Sequence, residues 1–226
     1  MRSFLVLTLA LTSALAACQL HGKTICIDPG HPSEVGRGTR GKTLTEIQVV
    51  WDMALLMQAQ LKKMGAKVVL TKSSRDQMVK NRDRSAIANK AKADLMVRLH
   101  CDAASGSGFA TYYPTQQGTS QGKTGPSHEL LNRIAPIAKR FHTSLANSMA
   151  GRLGTLGLKS DLKTAVGGRQ GALTGSIFSE VPVLLVELVV LTNPKDEALM
   201  KKPDFKRKYA AALAKAIADS VGNQRP

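Results

Sequence analysis

Strand-like and helix-like segments alternate along this 226-residue chain, which places it among α/β folds: a mostly parallel, twisted sheet with helices on both faces. Two further observations agree. Residues 183–191, VLLVELVVL, form an aliphatic run rich in β-branched residues, bounded by Pro182 and by Thr192-Asn193-Pro194, as expected of a strand buried on both faces. Residues with chemical potential also fall just after strand-like segments, where ligands bind in open α/β sheets.

The elements read in order as follows. Residues 23–28 (KTICID) make a first strand. Residues 45–64 are helical, because Val50, Met53, Ala54, Met57 and Leu61 recur by threes and fours, and Gly65 ends the helix. Residues 67–71 (KVVLT) make a second strand. A basic helix is expected over 77–93, then a strand over 94–99 (DLMVRL). A further strand, 108–113 (GFATYY), lies inside a loop-rich stretch, 103–126. Residues 127–153 are expected to be helical with a break near Pro136, since an internal proline removes one hydrogen bond and clashes with the preceding turn. Residues 159–176 read as a Gly-rich loop, followed by the 183–191 strand and a closing amphipathic helix over 203–221. No internal repeat or domain boundary is visible, and residues 22–223 are expected to form one catalytic domain.

The chain opens with Met1-Arg2, an uncharged apolar run over 3–14, and then Leu-Ala-Ala-Cys at 15–18. That is the layout of a secretory leader, residues 1–17. The tetrapeptide resembles the lipobox of bacterial lipoproteins, in which Cys18 would be lipidated and become the new N-terminus. Ordinary cleavage after Ala14-Leu15-Ala16 is the other reading; the placement of Cys18 favours the first. The apolar run falls short of the roughly 18 residues that a membrane span needs. Both readings put the chain outside the cytoplasm, the second as a soluble secreted product; the first makes it a periplasm-facing envelope lipoprotein, with the outer membrane favoured because Gln19 after Cys18 is not acidic. A net charge of +16 suits a polyanionic partner, but export and an aromatic content of only 4% argue against nucleic acid. A monomer is expected. Cys26 and Cys101 could pair in an oxidising compartment, and neither belongs to a Cys-x-x-Cys pair that would suggest a thiolate metal site.

Glu187 is the anomaly in the buried run. An ionised carboxylate buried without a partner costs several kcal/mol, so it must be paired, metal-associated or protonated. One of the many Lys or Arg side chains could satisfy it. Three other residues suggest a different role. His31 follows the first strand through a Pro-Gly turn in IDPGH, and His100 ends the third strand in RLHCDA. Glu46 completes a Thr43-x-x-Glu46 pattern that resembles a capping box, yet it shares its helix face with Val50, Met53, Ala54 and Met57 and so points toward the sheet. Two imidazoles and one carboxylate suffice to hold a catalytic Zn²⁺ with an open position. Glu187 would then be a general base beside it.

In this order the motifs resemble the zinc-dependent N-acetylmuramoyl-L-alanine amidases, which hydrolyse peptidoglycan and share a fold similar to zinc exopeptidases. The marks are IDPGH, Glu46 at a helix start after a Gly-rich loop, Arg84 and Asn89 in RSAIAN, LMVRLHCDA, and VPVLLVEL followed by LTNPKDE, with GAKVVLTK between them. The resemblance covers about residues 23–221. It implies that His31, Glu46 and His100 hold one zinc ion, that Glu187 is the catalytic acid/base, and that peptidoglycan is the substrate. The chain departs from the family at Ile47, Asp102, Val189-Val190 and Pro32-Ser33, where Lys, Asn, a Gly-aromatic pair and Gly-Gly are usual. None of these is a proposed ligand. Some relatives cover the zinc with an inserted helix, and residues 125–152 are the candidate for such an occluding device. Two alternatives are a non-catalytic envelope lipoprotein that binds peptidoglycan and a zinc peptidase cutting within the stem peptide.

Overall fold

In the computed structural model, which describes residues 19–222, a six-stranded sheet has the order β2-β1-β3-β8-β4-β7. The leader and the lipidation candidate Cys18 lie outside the described residues. Strands β1 (Thr24–Pro29), β2 (Lys67–Leu70), β3 (Leu95–Asp102) and β8 (Val183–Val190) run parallel. Strand β4 (Phe109–Tyr113) is antiparallel to β8, and β7 (Thr155–Ser160) is parallel to β4 at the edge. A separate ribbon pairs β5 (Gly118–Ser120) with β6 (Lys123–Gly125).

Among the described residues seven α-helices accompany the strands: α1 (Glu46–Lys63), α2 (Asn81–Lys90), α3 (His128–Met149), α4 (Ala165–Gln170), α5 (Thr174–Ile177), α6 (Pro194–Met200) and α7 (Pro203–Val221). Helix α7 packs against both α1 and α3. Their apolar stripes, including Met53, Met57 and Leu61, Ile134, Phe141 and Leu145, and Tyr209, Leu213 and Ile217, are buried in one core with Val186 and Leu188 of β8. Because side chains alternate along a strand, Leu185 and Glu187 turn to the opposite face. There Leu185 joins Ala110 and Tyr112 in a second, smaller cluster, with Leu156 and Leu173 packed on it.

Several expectations change. Helix α3 runs unbroken through Pro136. The proline is exposed, so the carbonyl it deprives of a donor faces water, while Ile134 and Ala138 on the buried side hold both halves to the core. The same stripe explains why 125–152 is no occluding insert: α3 is a core helix on the face away from Glu187. Helix α2 starts only at Asn81, because the backbone before it is engaged elsewhere: Val79 N–H donates to the Pro32 carbonyl. The stretch 159–176 is not a plain loop. It holds the end of β7, a 3-10 turn (Asp161–Lys163), α4 and the start of α5. The sequence TLGLKS gives little strand signal, since Gly157 adopts φ +98 and the pairing with β4 is irregular between Phe109 and Thr111. Cys26 and Cys101 are both free and buried rather than paired.

Candidate metal centre

Strand β1 ends at Pro29, and the turn through Gly30 carries His31 back over the sheet. A Cβ on Gly30 would lie 2.6 Å from His100 Cε1 and 2.8 Å from the Leu99 carbonyl oxygen, so only glycine lets the two segments approach this closely. His31 sits at φ +49, a left-handed conformation that costs a non-glycine residue about 1–2 kcal/mol. Cations hold it there. Arg84, fully buried on α2, donates from Nη1 to the Pro29 carbonyl (2.6 Å) and from Nη2 to the Pro32 carbonyl (2.9 Å). Lys72 Nζ donates to the His31 carbonyl and to that of Arg75.

The charge on Arg84 is balanced beneath the site. Its Nη1 lies 2.6 Å from Asp28 Oδ1, and Arg98 Nε lies 2.9 Å from Asp28 Oδ2. Thr71 Oγ1 also donates to Asp28 Oδ1. Burial alone would raise the Asp28 pKa, but the two guanidiniums and these hydrogen bonds hold it well below the usual carboxylate range. This buried cluster is what fixes the IDPGH turn.

Glu46 is the first residue of α1. The capping box that starts this helix is formed by Thr45 and Gln48 rather than by Thr43 and Glu46. Thr43 is bound elsewhere: its N–H (2.7 Å) and hydroxyl (3.0 Å), with the Leu44 N–H (2.8 Å), all donate to Glu197 Oε1. Freed from capping, the Glu46 carboxylate turns inward and is 2% exposed. Its Oε2 accepts from Thr39 N–H (2.7 Å) and its Oε1 from Cys101 N–H (3.1 Å). Oε1 also lies 2.9 Å from His100 Nδ1 and 3.6 Å from His31 Nε2. Burial works to raise its pKa, but the hydrogen bond and charge of His100, then His31 and the Thr39 N–H, bring it below the ordinary value.

His31, Glu46 and His100 each offer a ligand atom, and these atoms all lie within 4.8 Å of one another. The two rings meet edge-on, with centroids 5.1 Å apart at 84°. His31 Nδ1 lies 3.0 Å from the Gly36 carbonyl, which assigns the proton to Nδ1 and leaves the Nε2 lone pair for a metal. Burial pushes His100 below the ordinary imidazole range, so it is neutral at pH 7, as a ligand must be. Its buried Nε2 has no hydrogen-bond partner. The donor set and this orphaned atom fit a zinc-type ion, for which two imidazoles and one carboxylate are ordinary ligands.

Glu187 stands directly across from His100 in the β3–β8 ladder. No Lys or Arg pairs with it among the described residues, and its buried Oε2 has no hydrogen-bond partner. Burial, then the charges of Glu46 and Asp102, pushes its pKa well above the usual carboxylate range against the weaker pull of Arg98 and Lys159. It is not part of the three-residue ligand cluster. Neighbouring yet unligated, with a raised pKa, it has the attributes of a general acid/base.

The family model for N-acetylmuramoyl-L-alanine amidases matches residues 25–219. The chain belongs to this amidase family. It is similar to the amidase LytC of Bacillus subtilis, at 31% identity over 195 residues, 85% of this chain and 34% of that protein. It is also similar to the amidase Rv3717 of Mycobacterium tuberculosis, at 27% identity over 94% of this chain and 92% of that one. The chain therefore spans about a third of the first relative and nearly all of the second. Among solved structures, the amidase Ami1 of Mycobacterium smegmatis superposes with a TM-score of 0.71 at 24% identity, over 90% of this chain and 98% of that one, which is a likeness of fold.

The sequence alone points to the three candidate ligands and Glu187, but it gives no role to Asp28, Lys72 or Glu197. Arg84 and Asn89 are marks of the family resemblance to which the sequence assigns no function. Asn89 joins α2 to the loop before β8, donating to the Phe178 carbonyl and accepting from Glu180 N–H, each at 2.9 Å. A signal for Asp28 was present: an acid that ends an apolar strand needs a cation just as Glu187 does.

Proposed function

We propose that this chain is a zinc-dependent peptidoglycan amidase that hydrolyses the amide between N-acetylmuramic acid and the L-alanine of the stem peptide. One zinc ion would be held by His31, Glu46 and His100. The observation that carries the reading is the convergence of these ligand atoms within 4.8 Å beside a buried, unpaired Glu187 carboxyl. When bound, zinc supplies Lewis-acid polarisation of the amide carbonyl and makes a water more acidic.

The protein's own residues do the rest. Glu187 accepts a proton from the attacking water at Oε2. As the carbon–nitrogen bond breaks, it returns that proton to the departing alanine nitrogen. A carboxyl with a raised pKa suits this double role, since its carboxylate takes a proton more readily as a base and, once protonated, holds it long enough to act as an acid. Thr39 and Cys101 N–H groups keep Glu46 oriented, and the Gly36 carbonyl keeps His31 in the required tautomer.

The family's substrate accords with an exported envelope protein. The leader over 1–17 and lipidation at Cys18 complete that reading, with residues 22–223 as the catalytic domain, and the protein would act as a monomer. Among the described residues no helix is long and apolar enough to cross a membrane, so attachment would rest on the lipid.

The test is digestion of purified sacculi with mass spectrometry of the products, with and without chelator, alongside metal analysis. Free lactyl groups and released stem peptides that vanish with chelator are expected. Glu187→Ala should retain stoichiometric zinc while losing turnover. New termini inside the stem would make it a peptidase, binding without release would make it a non-catalytic module, and near-normal cleavage by Glu187→Ala would remove the acid/base assignment.

A further inference from the structure

The sheet face that carries His100 and Glu187 continues across two more strands. Ala110 of β4 pairs with Glu187, Tyr112 pairs with Leu185, and Lys159 of β7 pairs with Tyr112. Alternation along the strands puts Glu187, Tyr112 and Lys159 on the same side. Contacts agree with the register: Lys159 Nζ lies 5.6 Å from the centroid of the Tyr112 ring. Burial, then the charges of Asp102 and Glu187, raises the Tyr112 hydroxyl above its ordinary pKa.

Lys159 stands out among the cations of this face. Arg98 and Arg84 are locked on Asp28. Lys159 is half-buried, has no carboxylate within 4.0 Å among the described residues, and rests on an aromatic ring. Such an ammonium is held in place yet keeps its hydrogen-bond donors free. The backbone that follows it is anchored. Ser160 Oγ accepts from Leu162 N–H at 3.2 Å, and Asp161 Oδ2 accepts from Ser176 Oγ (2.7 Å) and Leu173 N–H (3.1 Å).

The spacing sets what could reach it. Two strand separations and two residues along the sheet place the Lys159 Cα about 12 Å from the Glu187 Cα. The lysine stem spans about half of that gap, and an extended peptide advances about 3.5 Å per residue. The ammonium therefore meets a chain bound at Glu187 roughly two residues beyond the bond being cut. On the glycan side of that bond the acetylated sugars are neutral and the lactyl carboxyl is consumed in the amide. Anionic groups lie on the peptide side.

We infer that Lys159, laid across the Tyr112 ring, is a specificity-determining residue whose ammonium binds a carboxylate on the second residue of the stem peptide. This rests on the amidase reading above and names the part of the substrate the enzyme discriminates. Stem peptides in which that carboxylate is free are preferred over those in which it is amidated, because a charged partner on the ammonium contributes about 1.5–3 kcal/mol, or roughly 10- to 100-fold in affinity.

The experiment compares two muramoyl peptides that differ only in carboxylate or carboxamide at the second residue, using the full chain loaded with zinc. Wild type should show kcat/KM roughly 10- to 100-fold higher for the carboxylate substrate, with the preference falling as salt rises. Lys159→Met should bring the ratio close to one, mainly through KM, and Lys159→Arg should recover part of it. A change in Glu187 acidity alone would move both substrates together and leave the ratio intact. A wild-type ratio near one, a salt-independent preference, or an unaltered ratio in Lys159→Met overturns the assignment while the amidase reading stands. Failure of wild type to cleave either substrate at the muramoyl–alanine bond overturns both.

Discussion

Arg84→Met removes a guanidinium from a place where water cannot substitute for it. The side chain is 1% exposed and donates to Asp28 Oδ1 (2.6 Å) and to the carbonyls of Pro29 (2.6 Å), Pro32 (2.9 Å) and Val79 (2.9 Å). Removing one partner of a buried pair costs about 3–5 kcal/mol. Arg98 and Thr71 still serve Asp28, which favours the lower end, while three carbonyls lose a donor at about 1 kcal/mol each. The expected loss is about 6 kcal/mol, a large part of the roughly 5–15 kcal/mol that holds such a domain together. In urea unfolding, with a slope near 2–3 kcal/mol per molar, the midpoint should drop by about 2 M. Relaxation of the turn should also weaken zinc binding about 10- to 100-fold in a competitive chelator titration. The pH dependence has a definite sign. Because the Asp28 pKa is depressed from 3.8, its contribution is complete above about pH 4 and is lost as pH falls below that, so the gap between wild type and variant should narrow in acid. A midpoint shift under about 0.5 M with unchanged zinc affinity would refute the claim that this ion pair holds the turn.

Gly38→Ala should weaken zinc binding by at least about tenfold, because φ is +78 and the new Cβ would collide with the Glu46 carboxylate and lie 2.7 Å from His31 Cδ2; equilibrium dialysis reads this directly. Glu197→Gln should lower the melting temperature at neutral pH, since that carboxylate receives the Thr43 and Leu44 N–H groups. Those hydrogen bonds depress its pKa from 4.5 to about 2, so the difference should fade as pH falls through that interval. His100→Ala should abolish both stoichiometric zinc and turnover while leaving a folded chain, as shown by circular dichroism and metal analysis.

The sheet and the ligands were legible for different reasons. Long periodic segments announced α1, α7 and β8 within about a residue, because burial of one stripe or of both strand faces dictates the pattern directly. Glu187 stood out because a charge in an aliphatic run is costly. Edge strand β7 was not legible, since one exposed margin relaxes the demand for β-branched residues and Gly157 interrupts it. The α2 start was misplaced because its first turn in sequence was committed to tertiary bonds at Val79. Proline content suggested a broken α3, but solvent on the Pro136 side removed most of the cost. Asp28, Arg84 and Glu197 depend on partners up to 154 residues away, and no local spacing encodes such pairings.

Burial raises the pKa of the Cys26 and Cys101 thiols far beyond neutrality, so neither of these two residues presents appreciable thiolate once folded. Disulfide exchange proceeds through thiolate, so burial shields both of these cysteines from oxidants that would attack an ordinary one. The hazard sits earlier. Before β1 and β3 come into register both sulfurs are reactive, and in the exported setting proposed above each newly delivered chain must close its sheet before an oxidase or another thiol reaches it.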